Sequence, residues 1–173
     1  IMWEPQIQDL KDNYRIFAPD LPGFGYSNKV EPCNSIISMA RSILDTIDQS
    51  RERLKTEGLI NTAHRIAKTW FVKEDKADHF DLCLKAGKLT LLKAADAALE
   101  AMKNWSGLEN LKNIKNKTLI ICGDKDRAYN RNQVDTLNEN IIDSNLIIFE
   151  GCSHNVHLEN PQKFNKTVSD FLQ

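Results

Sequence analysis

Thr118-Leu-Ile-Ile-Cys-Gly-Asp-Lys-Asp126 decides how this chain is read. Its first five residues are an apolar, β-branched run bounded by Asn116 and Gly123. That pattern predicts a strand buried on both faces. The glycine and the two acids predict a turn at its carboxyl end. Asn145-Leu-Ile-Ile-Phe149 repeats the pattern, and Gly151-Cys-Ser-His154 repeats the turn. Residues 131–140 between the runs are predicted to form a helix. Strand, helix and strand in this order predict a right-handed parallel crossover. The two strands should then end side by side, with Asp126 and His154 facing each other.

Working outward, Asn160-Pro161 supplies an N-cap and a proline for the first helical position. The helix that follows is predicted to bury Phe164, Val168, Phe171 and Leu172. At the other end, Trp3, Ile7 and Leu10 lie at helical spacing, with Pro5 in the first turn. Tyr14-Arg-Ile-Phe-Ala18 reads as a short strand. Pro19-Asp-Leu-Pro-Gly-Phe-Gly-Tyr-Ser27 reads as a turn-rich loop. A helix is predicted from Asn34 or Ser35 to about Asp48. Residues 50–104 are helical in pattern throughout, weakened at Gly58, and Leu89, Leu92, Ala95, Leu99 and Met102 mark the apolar face of a helix there.

Composition bounds the function classes. The 173 residues suffice for one core, and 41% apolar with 27% charged residues is ordinary for a globular protein. A net charge of −1 implies no general attraction to nucleic acid or to an anionic membrane surface. No apolar stretch approaches the length of a membrane span, and no signal peptide is visible. Cys33, Cys83, Cys122 and Cys152 form no C-x-x-C pair. They read as buried free thiols in a reducing, cytoplasmic setting. Because the chain opens on Ile1 with Met2 behind it, its natural start is expected to lie elsewhere.

Asp126 and His154 are the candidate catalytic residues. A carboxylate and an imidazole at the ends of neighbouring parallel strands can hold and move a proton. An imidazole titrates near pH 6.5 in ordinary surroundings, which suits that task at neutral pH. Asp124 reads as a solvated turn acid. His157 reads as structural, and His64 and His79 as surface or satisfied core positions. Cys152 is too near His154 along the chain to meet its ring at the roughly 3 Å a nucleophile needs. Trp70, Phe71 and Trp105 read as core ahead of the lining of an apolar pocket. No residues have metal-ligand spacing, and Gly23-Phe-Gly25 lacks the third glycine and the lysine of a phosphate loop. No cofactor is expected.

These motifs, in this order, resemble the α/β-hydrolase superfamily in its group of small serine hydrolases. Ala18-Pro-Asp-Leu-Pro-Gly-Phe-Gly-Tyr-Ser27 is similar to the loop after the family's fourth strand. Trp3, Gln6 and Leu10 are similar to the helix before it. Gly123-Asp-Lys-Asp126 resembles the family's acid turn. Gly151-Cys-Ser-His154, Glu159-Asn-Pro161 and Phe171-Leu172 resemble its histidine turn and last helix. The resemblance implies an α/β fold, a truncated hydrolase-like parallel sheet with a helical cap. Residues 1–173 would form one domain, with 50–104 inserted as the cap. It also implies serine-dependent hydrolysis of an ester or related bond in a small-molecule substrate. In that chemistry His154 moves the proton and Asp126 orients it.

The departures from the family matter as much. The family's nucleophile sits on a Gly-x-Ser-x-Gly elbow, whose glycines are four residues apart. The seven glycines here, at 23, 25, 58, 87, 107, 123 and 151, include no such pair. The helix ending near Asp48 runs directly into Ser50-Arg-Glu-Arg-Leu54, where the elbow strand would stand. The oxyanion loop, which precedes the first matched helix, is not in the chain. Ser27 lies in a loop and is not catalytic in the family. The chain is expected to be a truncated or internally deleted hydrolase, inactive as it stands. The alternative is a non-catalytic binding protein on a reduced hydrolase scaffold. Three explanations remain open for the missing strands: a reorganised sheet, completion by another chain, or lost segments. Strand 14–18 would lack its usual partner, so self-association is expected.

Overall fold

A computed structural model describes residues 2–16, 18, 26, 29, 44–103 and 107–173. The chain divides into two compact units. One comprises Ile1–Ala18, Ile66–Leu82 and Asn110–Gln173; the other comprises Pro19–Arg65 and Cys83–Glu109.

In the first unit, Thr118–Gly123 (β1) and Ser144–Phe149 (β2) form a parallel pair in the register Thr118–Ser144 to Gly123–Phe149. Helix α1, Glu4–Leu10, lies near the start of the chain. The helix linking the strands is Arg131–Asn140 (α6). Asn130 starts it with a full capping box: its side chain accepts the N–H of Gln133, whose own side chain accepts the N–H of Asn130. Side chains alternate across the pair. Ile121, Ile147 and Phe149 fall on one face and pack with Cys152, Val156 and Phe164. Cys122 falls on the other, within reach of the charges of Arg131 and Asp135 on α6. Phe149 is fully buried, a contribution of about 2–3 kcal/mol.

After β2 come Val156–Glu159 (α7) and Pro161–Leu172 (α8). The Asn160 side chain caps α8 by accepting the N–H of Lys163, and Pro161 opens the helix. α8 packs against α1. The expectation for α8 is corrected at Leu172, which is 56% exposed. It ends the helix, beyond the last turn that meets the core.

The strand predicted at 14–18 is also corrected. Tyr14, Arg15, Ile16 and Ala18 are not in a strand, and Phe17 lies outside the described residues. Among the described residues the sheet holds only β1 and β2. A strand without a ladder partner gains none of the hydrogen bonds that would hold it extended. Tyr14 instead shares a hydrogen bond of 3.1 Å between its hydroxyl and that of Ser169 on α8.

The helical stretch contains Leu44–Glu57 (α2), Leu59–Thr69 (α3), Phe80–Lys88 (α4) and Leu92–Lys103 (α5). Gly58, at φ +78°, separates α2 from α3, a backbone conformation that glycine adopts without penalty. In the second unit, α2 packs along α5. The predicted apolar face of α5 is shifted: Ala94 and Ala101 are buried, whereas Leu92 is 47% exposed. Small residues let the helices approach closely. Arg51 spans the same pair, reaching Asp96 at 2.7 Å and also Glu100. The part of the predicted 35–48 helix before Leu44 lies outside the described residues, as do Cys33 and Trp105.

Candidate functional site

The carboxyl ends of β1 and β2 are stitched together beyond their last ladder pair. Asp124 N–H donates to Phe149 O at 3.1 Å, and Lys125 N–H to Cys152 O at 2.9 Å. Gly123 makes this approach feasible. A Cβ there would lie 2.2 Å from Cys152 O and 2.3 Å from Ser153 O. Asp124 adds a side-chain tie, its Oδ1 accepting the N–H of Gly151 at 2.6 Å. Lys125, bonded to Asp124 Oδ2 at 2.9 Å, holds this carboxyl below the usual carboxylate range, and the Gly151 N–H adds to the effect. Asp124 is thus more than the solvated turn acid read from the sequence.

These ties bring Asp126 to His154. Asp126 Oδ1 accepts the N–H groups of Ala128 at 2.7 Å and Tyr129 at 3.1 Å. This is the local turn that aspartate favours, and it fixes the plane of the carboxylate. Oδ2 then faces His154 Nδ1 at 3.1 Å. The Asp126 side chain is 8% exposed and that of His154 29%. A carboxylate at Nδ1 selects the tautomer with its proton there, so Nε2 presents a lone pair. The imidazole lies between two aromatic rings, with Trp70 at 5.8 Å and Tyr129 at 5.4 Å between centroids. Such a pair can accept a proton at Nε2 while the carboxylate balances the resulting charge.

The remaining candidates fall elsewhere. His157 is buried, its ring stacked on Trp3 at 4.3 Å. Burial, with the nearby His154, pushes its pKa down to about 4. His64 lies half-buried on α3, and His79 is exposed at a positive φ of 65°. Cys152 is buried with a free thiol pushed up by burial and then by the charge of Glu159, so it is a poor nucleophile. Phe71 is core, fully buried against Phe80. Ser27 lies outside the described residues. Among the described residues no cluster of His, Cys, Asp and Glu could hold a metal ion. No helix among them is long and apolar enough to cross a membrane.

Solved structures share this architecture. An esterase from Exiguobacterium antarcticum superposes with a TM-score of 0.82 at 18% identity, covering 99% of this chain and 87% of that one. The enol-lactonase from Burkholderia xenovorans gives 0.80 at 19% identity, covering 99% and 85%. An alpha/beta hydrolase enzyme from a deep-sea metagenome library gives 0.65 at 19%, covering 80% and 54%. The chain has the α/β-hydrolase fold. In sequence, this hydrolase-fold chain is 39% identical over 64 residues to monoacylglycerol lipase ABHD6 of Rattus norvegicus, and 34% identical to that of Homo sapiens. Each match covers 37% of this chain and 19% of the relative, so the matched stretch spans about a fifth of the relatives' length. No protein-family model matches.

Sequence reading missed several parts of this hydrolase-fold site. Tyr129 stands three residues after Asp126 without a distinguishing signal. Arg127 donates to the carbonyl oxygens of Phe71 at 2.7 Å and Lys68 at 3.1 Å. Backbone acceptors leave no mark in a sequence. The placing of Trp70 against His154 was likewise not legible.

Proposed function

We propose that the chain carries the proton-relay part of a serine-hydrolase-type site, with Asp126 and His154 as its catalytic residues. The observation that carries this reading is the 3.1 Å pair at the ends of β1 and β2. In the parent reaction a serine Oγ attacks the acyl carbon of an ester or related bond. The imidazole takes the serine proton and returns it to the leaving alkoxide, while the aspartate orients the ring. The name of the mammalian relatives, monoacylglycerol lipase, supports an acyl ester as the bond. Residues 50–104 act as the cap, and the substrate is a small molecule rather than nucleic acid or membrane. The cysteine spacing supports a cytoplasmic setting.

Without a Gly-x-Ser-x-Gly elbow this chain is a reduced form of such an enzyme, and inactive. Loss of the nucleophile from a serine-protease triad costs about 10⁶-fold in rate. Self-association accompanies this reading. Among the described residues β1 is paired on one edge only, and an open apolar strand edge invites another chain. A monodisperse monomer on size-exclusion chromatography with one cooperative denaturant transition would remove that part.

A second reading, a non-catalytic binding protein, is favoured by one observation. Trp70 and Tyr129 offer apolar walls beside His154 that a ligand could use without any nucleophile. Hydrolysis of a simple activated ester separates these outcomes. The expected result is no turnover above buffer for the chain or for His154→Ala. Turnover that His154→Ala abolishes would show a recruited nucleophile and overturn the inactive reading. Saturable binding of an uncleaved acyl ester, weakened by Trp70→Ala, would favour the binding protein.

A further inference from the structure

The turns that carry Asp126 and His154 are both bonded to one short stretch, Lys68–Val72. From the histidine turn, Glu159 Oε1 accepts the N–H of Val72 at 2.7 Å, while Oε2 accepts the N–H of Ser153. Ser153 Oγ donates to Thr69 O at 3.3 Å, and Asn155 N–H to Trp70 O at 3.0 Å. From the acid turn, Arg127 holds the carbonyl oxygens of Lys68 and Phe71. The residues flanking His154, Ser153 and Asn155, are 0% and 4% exposed. Their backbone groups have no water to replace a lost protein partner.

We propose that Glu159 is a positioning residue for His154, a role that rests on reading Asp126 and His154 as a proton-relay pair. One carboxylate joins the N–H immediately before the histidine to the N–H two residues after Trp70. It therefore sets both the turn that presents the imidazole and the wall that the imidazole meets. Val72 and Ser153 donate to different oxygens of the one side chain, and a carboxylate presents an acceptor at each place. Hydrogen bonds to an ionised acceptor are also the stronger kind. Glutamine has nearly the same shape but only one acceptor. Its NH₂ would face a backbone N–H, donor against donor.

Glu159→Gln in the full chain tests this, read by NMR on the His154 imidazole. Two signals matter: the ring-current shift that Trp70 and Tyr129 impose on its carbon-bound protons, and the tautomer reported by its nitrogen shifts. Circular dichroism checks that the variant remains folded. The expected result is loss of much of the ring-current shift and a mixed tautomer in a folded chain. Both signals unchanged would overturn the proposal. Where the glutamine variant does not fold, Glu159→Asp keeps two acceptors on a stem too short to reach both donors. Unchanged signals there overturn the proposal equally. Asp126→Asn separates the two ideas. An unchanged His154 tautomer in that variant sinks the proton-relay reading. A changed tautomer there, with Glu159→Gln silent, sinks only the positioning role.

Discussion

His154 lies on the turn after β2 and His157 three residues on in α7, yet their surroundings assign them opposite work. His154 meets a carboxylate at Nδ1, two aromatic rings on its flanks and partial access to solvent. His157 is packed under Trp3 and beside Phe164, and its Nε2 has no hydrogen-bond partner among the described residues. Its backbone carbonyl accepts from Gln6 at 2.7 Å, so even its polar main chain serves packing against α1. One imidazole has a group ready to balance a positive charge. The other sits where a positive charge is costly. Residue type fixes neither role; the partner at Nδ1 and the access to water do.

The largest expected effect breaks the His154 side of this contrast. Gly123→Ala drives a methyl group into the carbonyl oxygens of Cys152 and Ser153, which are backbone atoms and yield little. A loss of about 3 kcal/mol or more is expected in denaturant unfolding. A loss below about 1 kcal/mol would show that the two turns tolerate separation.

The His157 side is broken by acid. Its folded pKa of about 4 lies below the ordinary histidine value near 6.5, so the unfolded chain binds the extra proton first. The neutral ring's contribution is therefore complete above about pH 6.5 and is lost as the pH falls towards 4. It amounts to up to about 3 kcal/mol. His157→Phe should flatten that part of the stability profile between pH 6.5 and 4. A profile with the same slope in both proteins would contradict the buried, neutral assignment.

Smaller changes sharpen the contrast. Arg127→Ala removes the donor for the Phe71 and Lys68 carbonyls and should cost about 2 kcal/mol, with Trp70 released from His154. Calorimetry and the His154 ring-current shift would report both effects. Asn130→Ala removes the α6 capping box and should cost about 1 kcal/mol, leaving the ring-current shift of His154 and the titration of His157 unchanged. Movement of either would mean that α6 helps set the histidine environments.

What the sequence made legible follows from the physics of each signal. The β1–α6–β2 unit is written in apolar runs, a capping asparagine and turn glycines, so its elements match the reading closely. Asp126 and His154 follow from it, because parallel strands place their carboxyl-terminal turns together. The Lys68–Val72 stretch was not legible, since Arg127, Ser153 and Asn155 bind it through carbonyl oxygens that every residue carries. Tyr14–Ala18 misled because an apolar run indicates burial without supplying a ladder partner. The buried face of α5 misled because Ala94 and Ala101 carry too little hydrophobic signal to outrank Leu92.

The crossover that joins β1 to β2 has a consequence for how durable the acid–histidine pair is. Asp126 and His154 are 28 positions apart, and α6 occupies much of the chain between them. Closing so short a loop costs little entropy, and each doubling of its length would add only about 0.6 kcal/mol. The contact order of the pair is low, so it can assemble early in folding. Insertions and deletions upstream of Thr118 do not lengthen this loop. A lineage can therefore rebuild much of the chain while the acid and the histidine keep meeting.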